Sequence, residues 1–372
     1  MNKKIIQQKK KIVKVKRSKI AKINYYKRYQ TEKLSQRYLK IARERNDSVY
    51  QKRAIDVNQC CDNIKYAQFS DGSQKILNMF SCKDRLHTAC NYRRSVRTFA
   101  QLTQIINSDE FLKEDYKCIF LTLTLKSVSP KKLKNGIDEI LYAFKKFMLN
   151  KRIKQTVKGF FRALEITFNP KTHKFHHHLH IIFIVNSSYF KKNYIKQSEF
   201  IDIWKKSAAI DYTPVVDVRP IKDFGGVAEV AKYSVSADDN LLDGLSDNEL
   251  VILRDNLTNR RLVSMGGCVR DIARKLKLNL DDENLNEEIT DNDLKNGFLK
   301  FIIFLKWNIG FGKYQIDKGY KFEPSVNPKE AVKDYDLGKC IKEPDEYNPL
   351  LEQHKKRLLL MDYNIYDDEQ FD

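Results

Sequence analysis

Between residues 117 and 235 the spacing of hydrophobic and polar positions changes several times, and each change marks an element. KCIFLTLTLKS (117–127) alternates and is rich in Thr and Leu, the pattern of a strand. Leu133, Ile137, Leu141, Phe144 and Met148 then recur every three or four residues, which predicts an amphipathic helix. GFFRALEITF (159–168) returns to a strand pattern, Asn169-Pro170 begins a turn, and HKFHHHLHIIFIV (173–185) supplies the returning strand. A helix over 197–208, a strand in TPVVDVRPI and a helix in GGVAEVAKYSV (225–235) complete the series. The order β-α-β-β-α-β-α, with its central hairpin, predicts an α+β fold: an antiparallel sheet with helices packed on one face. Polar, turn-rich SADDNLLDGLSDNE places a boundary near 245. Four regions follow: a basic, largely disordered arm (1–50), a Cys/His region (51–108), the α+β core (109–245) and a mixed C-terminal extension (246–372).

Charge changes this picture at the two ends. The chain of 372 residues carries a formal net charge of +21, and residues 1–50 hold 17 Lys/Arg against three acids. Such an arm calls for an acidic partner, DNA or RNA before all. The other end, MDYNIYDDEQFD, has no basic residue and is expected to be loose. No apolar run approaches the roughly 18 residues needed to span a bilayer, and the charged N-terminus is not a signal peptide. A membrane surface would also satisfy the charge, but no membrane partner is expected. Seven Cys in a chain of this kind read as reduced thiols or metal ligands, which makes the expected location cytoplasmic.

The histidine strand carries the first candidate chemistry. Successive strand residues point to opposite faces, so His176, His178 and His180 share one face while Leu179, Ile181, Phe183 and Val185 occupy the other. On the preceding strand Glu165 has the parity to face the histidines, opposite His178 or His180. Two imidazoles and a carboxylate with open positions suit a divalent ion acting as a Lewis acid on a phosphate oxygen; zinc-assisted hydrolysis of another substrate would use the same ligands. His176 is a neighbour on that face.

A second cluster lies upstream. Cys82-x4-His87 and His87-x2-Cys90 are spacings compatible with tetrahedral zinc, with Cys61 as the preferred fourth ligand and Cys60 the alternative. Arg93, Arg94 and Arg97 follow at once and suit phosphate contacts. In GGVAEVAKYSV, Glu229 and Tyr233 are four apart and so are neighbours on one helix face. A phenol is a weak nucleophile, but polarisation of a phosphate by a metal relaxes that limit.

Taken in order, FLTLTLKS (120–127), LEITFNPKTHKFHHHLHIIFIV (164–185) and AEVAKYSV (228–235) resemble the three motifs of plasmid rolling-circle replication initiators. These are Rep proteins of the HUH endonuclease superfamily, here the branch with one catalytic Tyr and a helper Glu. RRLVSMGGCVRDIARKLKLNLDDENL (260–285) resembles that branch's trailing RxLxSxGG segment, and SCKDRLHTACNYRRS (81–95) resembles its CKxRxCPxCxxRR segment, with His87 where Cys is usual. The resemblance implies an HUH, RRM-like nuclease fold in which His178, His180 and Glu165 hold Mg²⁺ or Mn²⁺. It implies that Tyr233 nicks one origin strand through a 5′-phosphotyrosine, leaving a 3′-OH primer, and that Glu229 serves as general base when the strand is closed. DNA, single-stranded at the nick, is the implied partner, with host helicase and polymerase; His176, Arg93 and Arg94 are candidate DNA contacts, and Lys222 or Arg219 is the candidate phosphate cation. Two positions depart from the pattern: His177 stands where Pro is common, and Ser236 where Lys is frequent. The rival readings are a relaxase or transposase of the same chemistry and a non-catalytic, basic, zinc-containing nucleic-acid-binding protein.

Overall fold

The computed structural model describes residues 30–72, 74–191, 193–221, 241–278, 298–308, 313–321 and 339–340. The chain divides into two compact units, residues 1–83 with 284–372, and residues 84–283. The expected boundary near 245 falls inside the second unit.

The second unit is built on the anticipated hairpin. Its sheet is formed by β3 (Tyr116–Thr124), β4 (Val157–Asn169), β5 (Lys174–Asn186), β6 (Val216–Pro220) and β7 (Val263–Gly267). The strands lie in the order β6-β3-β5-β4-β7, and every neighbouring pair is antiparallel. In the β4–β5 turn the Asn169 side-chain oxygen accepts the N–H groups of Lys171 and Thr172, at 2.9 and 3.2 Å, and His173 adopts a φ of 51°. An Asx turn thereby sets the register, and the register sets every side chain's face.

Helices α5 (Leu133–Leu149) and α7 (Gln197–Ala208) cover one face of this sheet. Phe147 of α5 stacks on Phe183 and Phe200 and meets the Trp204 ring edge-on, and Trp204 donates its indole N–H to the Thr124 carbonyl at 2.9 Å. The buried stripe of α5 runs through Leu133, Ile137, Ile140, Phe144 and Phe147; Leu141 and Met148, counted on the apolar face by spacing, are only partly covered. His177 is packed beneath this helix, where a Cβ on Gly136 would lie 2.8 Å from its ring.

The opposite face was expected to be free of helices, and half of it is not. Ile182 and Ile184 point away from α5 into a second cluster with Phe120, Phe161, Leu102 and Ile105 of α3 (Thr88–Ile106), and Val269 and Ile272 of the Cys268–Lys275 helix. The run Ile-Ile-Phe-Ile-Val in β5 has no polar alternation and so must be buried on both faces. Further along, where histidines alternate with apolar residues, that second face is less covered, and His176, His178 and His180 keep partial exposure. β7 and the helix after it thus belong to the core sheet and not to a separate extension. Gly266 lies against the Phe160 ring, and Gly267 has φ +57°, with the Lys158 carbonyl occupying the space a Cβ would need. Side chains at either position would push β7 off the sheet.

The first unit contains a second antiparallel sheet, formed by β1 (Asn63–Phe69), β2 (Gln74–Met79), β8 (Leu299–Asn308), β9 (Lys313–Lys321) and β10 (Lys339–Cys340) in the order β10-β9-β8-β1-β2. FIIFLKWNIGFGKYQI, to which the sequence assigned no role, supplies much of β8 and β9. The basic arm also ends sooner than expected. Residues 30–45 form a helix whose Leu34, Tyr38 and Ile41 are fully buried, a helical stripe hidden in a charge-rich run. The helix Ser48–Gln59 (α2) follows, its N–H groups of Val49 and Tyr50 capped by Asp47. Among the described residues no helix is long and apolar enough to cross a membrane.

Candidate functional site

Antiparallel register places Glu165 opposite His178, and Ala163 opposite His180. Ala163 leaves room beside His180, so the Glu165 carboxylate reaches both rings. Its Oε2 is 3.2 Å from His178 Nε2 and 2.7 Å from His180 Nε2, and the two Nε2 atoms are 3.1 Å apart. Three donor atoms converge on one point while their side chains keep 12–14% exposure. On the other flank Thr122 pairs with His180 across β3 and β5, and its hydroxyl lies 3.3 Å from His180 Nδ1. A ring that donates Nδ1–H to Thr122 presents a bare Nε2 to the site, the tautomer a metal needs. His176 stays outside the triad: its ring stacks on His178 at 5.2 Å and its Nδ1 lies 3.4 Å from Ser127 Oγ.

Electrostatics mark the same point. Burial alone would raise the Glu165 carboxyl, but the hydrogen bonds and charges of His178 and His180 outweigh it and bring it down to about 2. Glu165 is therefore an anion at neutral pH. Burial lowers His176, helped by the neighbouring His178. An anionic oxygen with two imidazole nitrogens is a donor set for a divalent cation, open toward solvent on one side.

The upstream cluster is different in kind. Cys60, Cys82, His87 and Cys90 are all buried and their ligand atoms lie within 4.8 Å of one another. The fourth member is Cys60 and not Cys61, the residue preferred from sequence. Cys60 ends α2 with its sulfur turned inward, where it accepts the Cys82 N–H at 3.2 Å. Cys61 takes a φ of 61°, and its thiol lies 3.5 Å from Cys60 Sγ and 3.9 Å from Met79 Sδ, outside the converging set. His87 Nδ1 and Cys90 Sγ are 3.2 Å apart. Three sulfurs and an imidazole fit a closed, tetrahedral site.

Of the basic residues expected to touch DNA, Arg94 is corrected: it is 1% exposed and donates from Nη1 to the Asp84 carbonyl at 3.3 Å and to Asn91 Oδ1 at 3.1 Å. The helical period of α3 turns it into the core while leaving Arg93 partly exposed. Lys222, Glu229 and Tyr233 lie outside the described residues. Sequence reasoning missed Thr122 as the residue that orients His180. The alternation in FLTLTLKS already puts Thr122 and Thr124 on one face, but only strand pairing shows which face the histidines share.

Comparison with known proteins adds an independent line. A family model described as a replication protein matches residues 73–315. A "Protein rep" of Bacillus amyloliquefaciens is 33% identical over 300 residues, covering 71% of this chain and 85% of the relative. A "Protein rep" of Streptococcus pneumoniae is 31% identical over 295 residues, with 76% and 90% covered, and a "Replication protein" of Staphylococcus aureus is 34% identical over 210 residues, with 53% and 88% covered. No solved structure gives a significant match. The region matched contains β3, the histidine hairpin and the β7 segment, and on that evidence the chain belongs to the replication protein family.

Proposed function

We propose that this protein starts rolling-circle replication of a plasmid by nicking one DNA strand at the origin, as a metal-dependent, tyrosine-type endonuclease that later rejoins the strand. The observation that carries the reading is the convergence of Glu165 Oε2, His178 Nε2 and His180 Nε2 on the open half of the sheet. The triad's side chains keep 12–14% exposure on the sheet face, an opening that a phosphate of a polymer can reach.

Glu165, His178 and His180 would hold Mg²⁺ or Mn²⁺, which when bound polarises a phosphate oxygen as a Lewis acid. Thr122 holds the His180 tautomer and Glu165 balances the cation's charge. Tyr233 gives up its phenolic proton and its oxygen attacks the scissile phosphorus; the bond to the 3′-oxygen breaks, and that oxygen leaves protonated as a 3′-OH. The 5′-phosphate stays on Tyr233, which conserves the phosphodiester bond energy until a 3′-OH returns to displace the phenol. Glu229, four residues from Tyr233, takes the proton of the water that releases the enzyme at termination. Zn²⁺ is assigned to Cys60, Cys82, His87 and Cys90 as a structural ion, and a DNA origin with host helicase and polymerase completes the set of partners, in the cytoplasm.

The test is a cleavage assay with single-stranded oligonucleotides tiling the protein's own replicon, in Mn²⁺. A covalent protein–DNA adduct is expected, absent in Tyr233→Phe and in His178→Ala/His180→Ala. An adduct that persists in Tyr233→Phe removes Tyr233 as nucleophile. Release as fast in Glu229→Ala as in the parent protein removes the role of Glu229.

A further inference from the structure

Arg162 of β4 faces α5 and not the histidine face, and the chemistry above makes no use of it. It is 6% exposed. Its Nη1 is fully enclosed with no hydrogen-bond partner, while the other guanidinium nitrogens are not enclosed. The contact recorded for the charge is the face of the Phe144 ring, 5.7 Å away. Among the described residues no carboxylate acts on it: burial first, then the nearby positive charge of Arg261, pull the guanidinium down to about 10. The acid at this edge, Asp138 of α5, is taken by Arg260. A buried guanidinium is ordinarily matched by a carboxylate, because desolvating a charge without a partner is unfavourable. A second cation beside it makes the mismatch worse, and a single cation–π contact does not offset it.

The neighbours of Arg162 have the chemistry that would correct this. Ser264 of β7 pairs directly with Arg162 across the strands, so the two side chains stand on the same face of the sheet. Among the described strands β7 is the last of the sheet, so this face lies at an edge. Arg261 is exposed at that edge. Two guanidinium groups and a hydroxyl are a phosphate-binding set. Arg261 and Ser264 also belong to RRLVSMGG, whose glycines the fold explains but whose polar residues it does not.

We infer that Arg162, Arg261 and Ser264 form a second anion site, between α5 and the β7 edge, that grips a backbone phosphate of DNA. The inference rests on the chain acting on DNA, though not on how it cuts. Arg162 and Glu165 are three residues apart on one strand, roughly 10 Å, and their parity puts them on opposite faces. DNA held at both points passes round the β7 edge of the sheet. Free inorganic phosphate has the same chemistry as the backbone phosphate, and the experiment separates the two.

The full-length protein is titrated with labelled origin DNA, duplex and single-stranded, at several salt concentrations. Arg162→Met is expected to weaken binding about tenfold and to reduce the slope of log affinity against log salt by about one. Its melting temperature should be equal to or above that of the parent protein, because a buried unmatched charge is removed. Arg162→Lys should recover part of the affinity, and Arg260→Gln, whose charge is already matched, should change the slope less. An unchanged slope and affinity in folded Arg162→Met overturns the site, as does a lowered melting temperature with intact DNA binding. Stabilisation of the parent protein by inorganic phosphate, lost in Arg162→Met while DNA binding is unaffected, means a free-anion site only and also overturns it. Should Arg162→Met not fold, Arg261→Gln/Ser264→Ala gives the same readings from the surface. Nicking of short oligonucleotides is measured in parallel: its absence from the parent protein sinks the proposed function and leaves the salt-slope result standing.

Discussion

Two groups of metal-competent side chains in this chain invite comparison, because they solve opposite problems. The Glu165–His178–His180 triad sits on adjacent strands, keeps partial exposure and uses oxygen and imidazole donors. The Cys60–Cys82–His87–Cys90 group is wholly buried and uses three sulfurs. Four donors with no open position can hold an ion and do nothing else. Three donors with an open side can offer the ion to a substrate. Rigidity also comes from different sources. A sheet register holds the triad with or without an ion, whereas the cluster is drawn from a helix end, a loop and a helix start, which a bound ion would tie together.

That contrast is tested first at the triad. His178→Ala/His180→Ala should reduce nicking on the order of 10³-fold, since Lewis-acid stabilisation is worth several kcal/mol. The melting temperature should hardly change. A collapse of the fold would show that the triad is structural and erase the contrast.

At the cluster the expectation reverses. Cys60→Ala should lose zinc, read by metal analysis, and cost about 4 kcal/mol in stability, as losses of structural metal do. Cys61→Ala should keep zinc and cost little. Equal zinc loss in both would return Cys61 to the ligand set.

His177 separates the two faces of the histidine strand. It is 1% exposed, both ring nitrogens are buried without hydrogen-bond partners, and burial first, then His176 and His178, lower it to about 4. The unfolded chain, with a His near 6.5, binds the proton more readily than the folded one. Stability from this residue is thus complete above pH 6.5 and lost as pH falls toward about 4, by about 3 kcal/mol at most. His177→Leu should flatten the fall in denaturation midpoint across that window and leave metal-dependent nicking in place. An equal acid loss in the variant would assign the effect elsewhere.

The smallest effect belongs to Thr122. Thr122→Val keeps the shape and removes the oxygen at His180 Nδ1. Metal affinity should fall about tenfold, in the range seen when such outer partners are lost. Calorimetric titration with Mn²⁺ measures it, and an unchanged affinity would show that packing alone orients His180.

Much of the hairpin was legible in the order of residues. The helix over 197–208 and the strands around 117–127, 159–168 and 173–185 appear where the spacing places them, with ends shifted by a few residues. Strand parity was enough to bring Glu165 to the histidine face, opposite His178 or His180, and the register chose His178. What parity could not show is how much of each face is covered. Ile182 and Ile184 share a face with His178 and His180, yet the first pair is buried under α3 and the second is left open. Arg94 and Arg162 were equally opaque, since nothing in the local pattern marks either as buried. Both are, one satisfied by backbone and Asn91, the other without a counter-ion.

The local pattern of the chain settled the elements, the donor types and the face of the strand on which each donor stands, because these depend on backbone period and side-chain chemistry within a dozen residues. Long-range packing decided the rest: that Cys60 and not Cys61 joins the cluster, that β7 closes the core sheet, and that β1 pairs with β8, where Phe298 N–H reaches Ser70 from 228 residues away. Those outcomes turn on which distant surfaces exclude water together. No local pattern encodes that, since the gain from burial exists only once both partners have met.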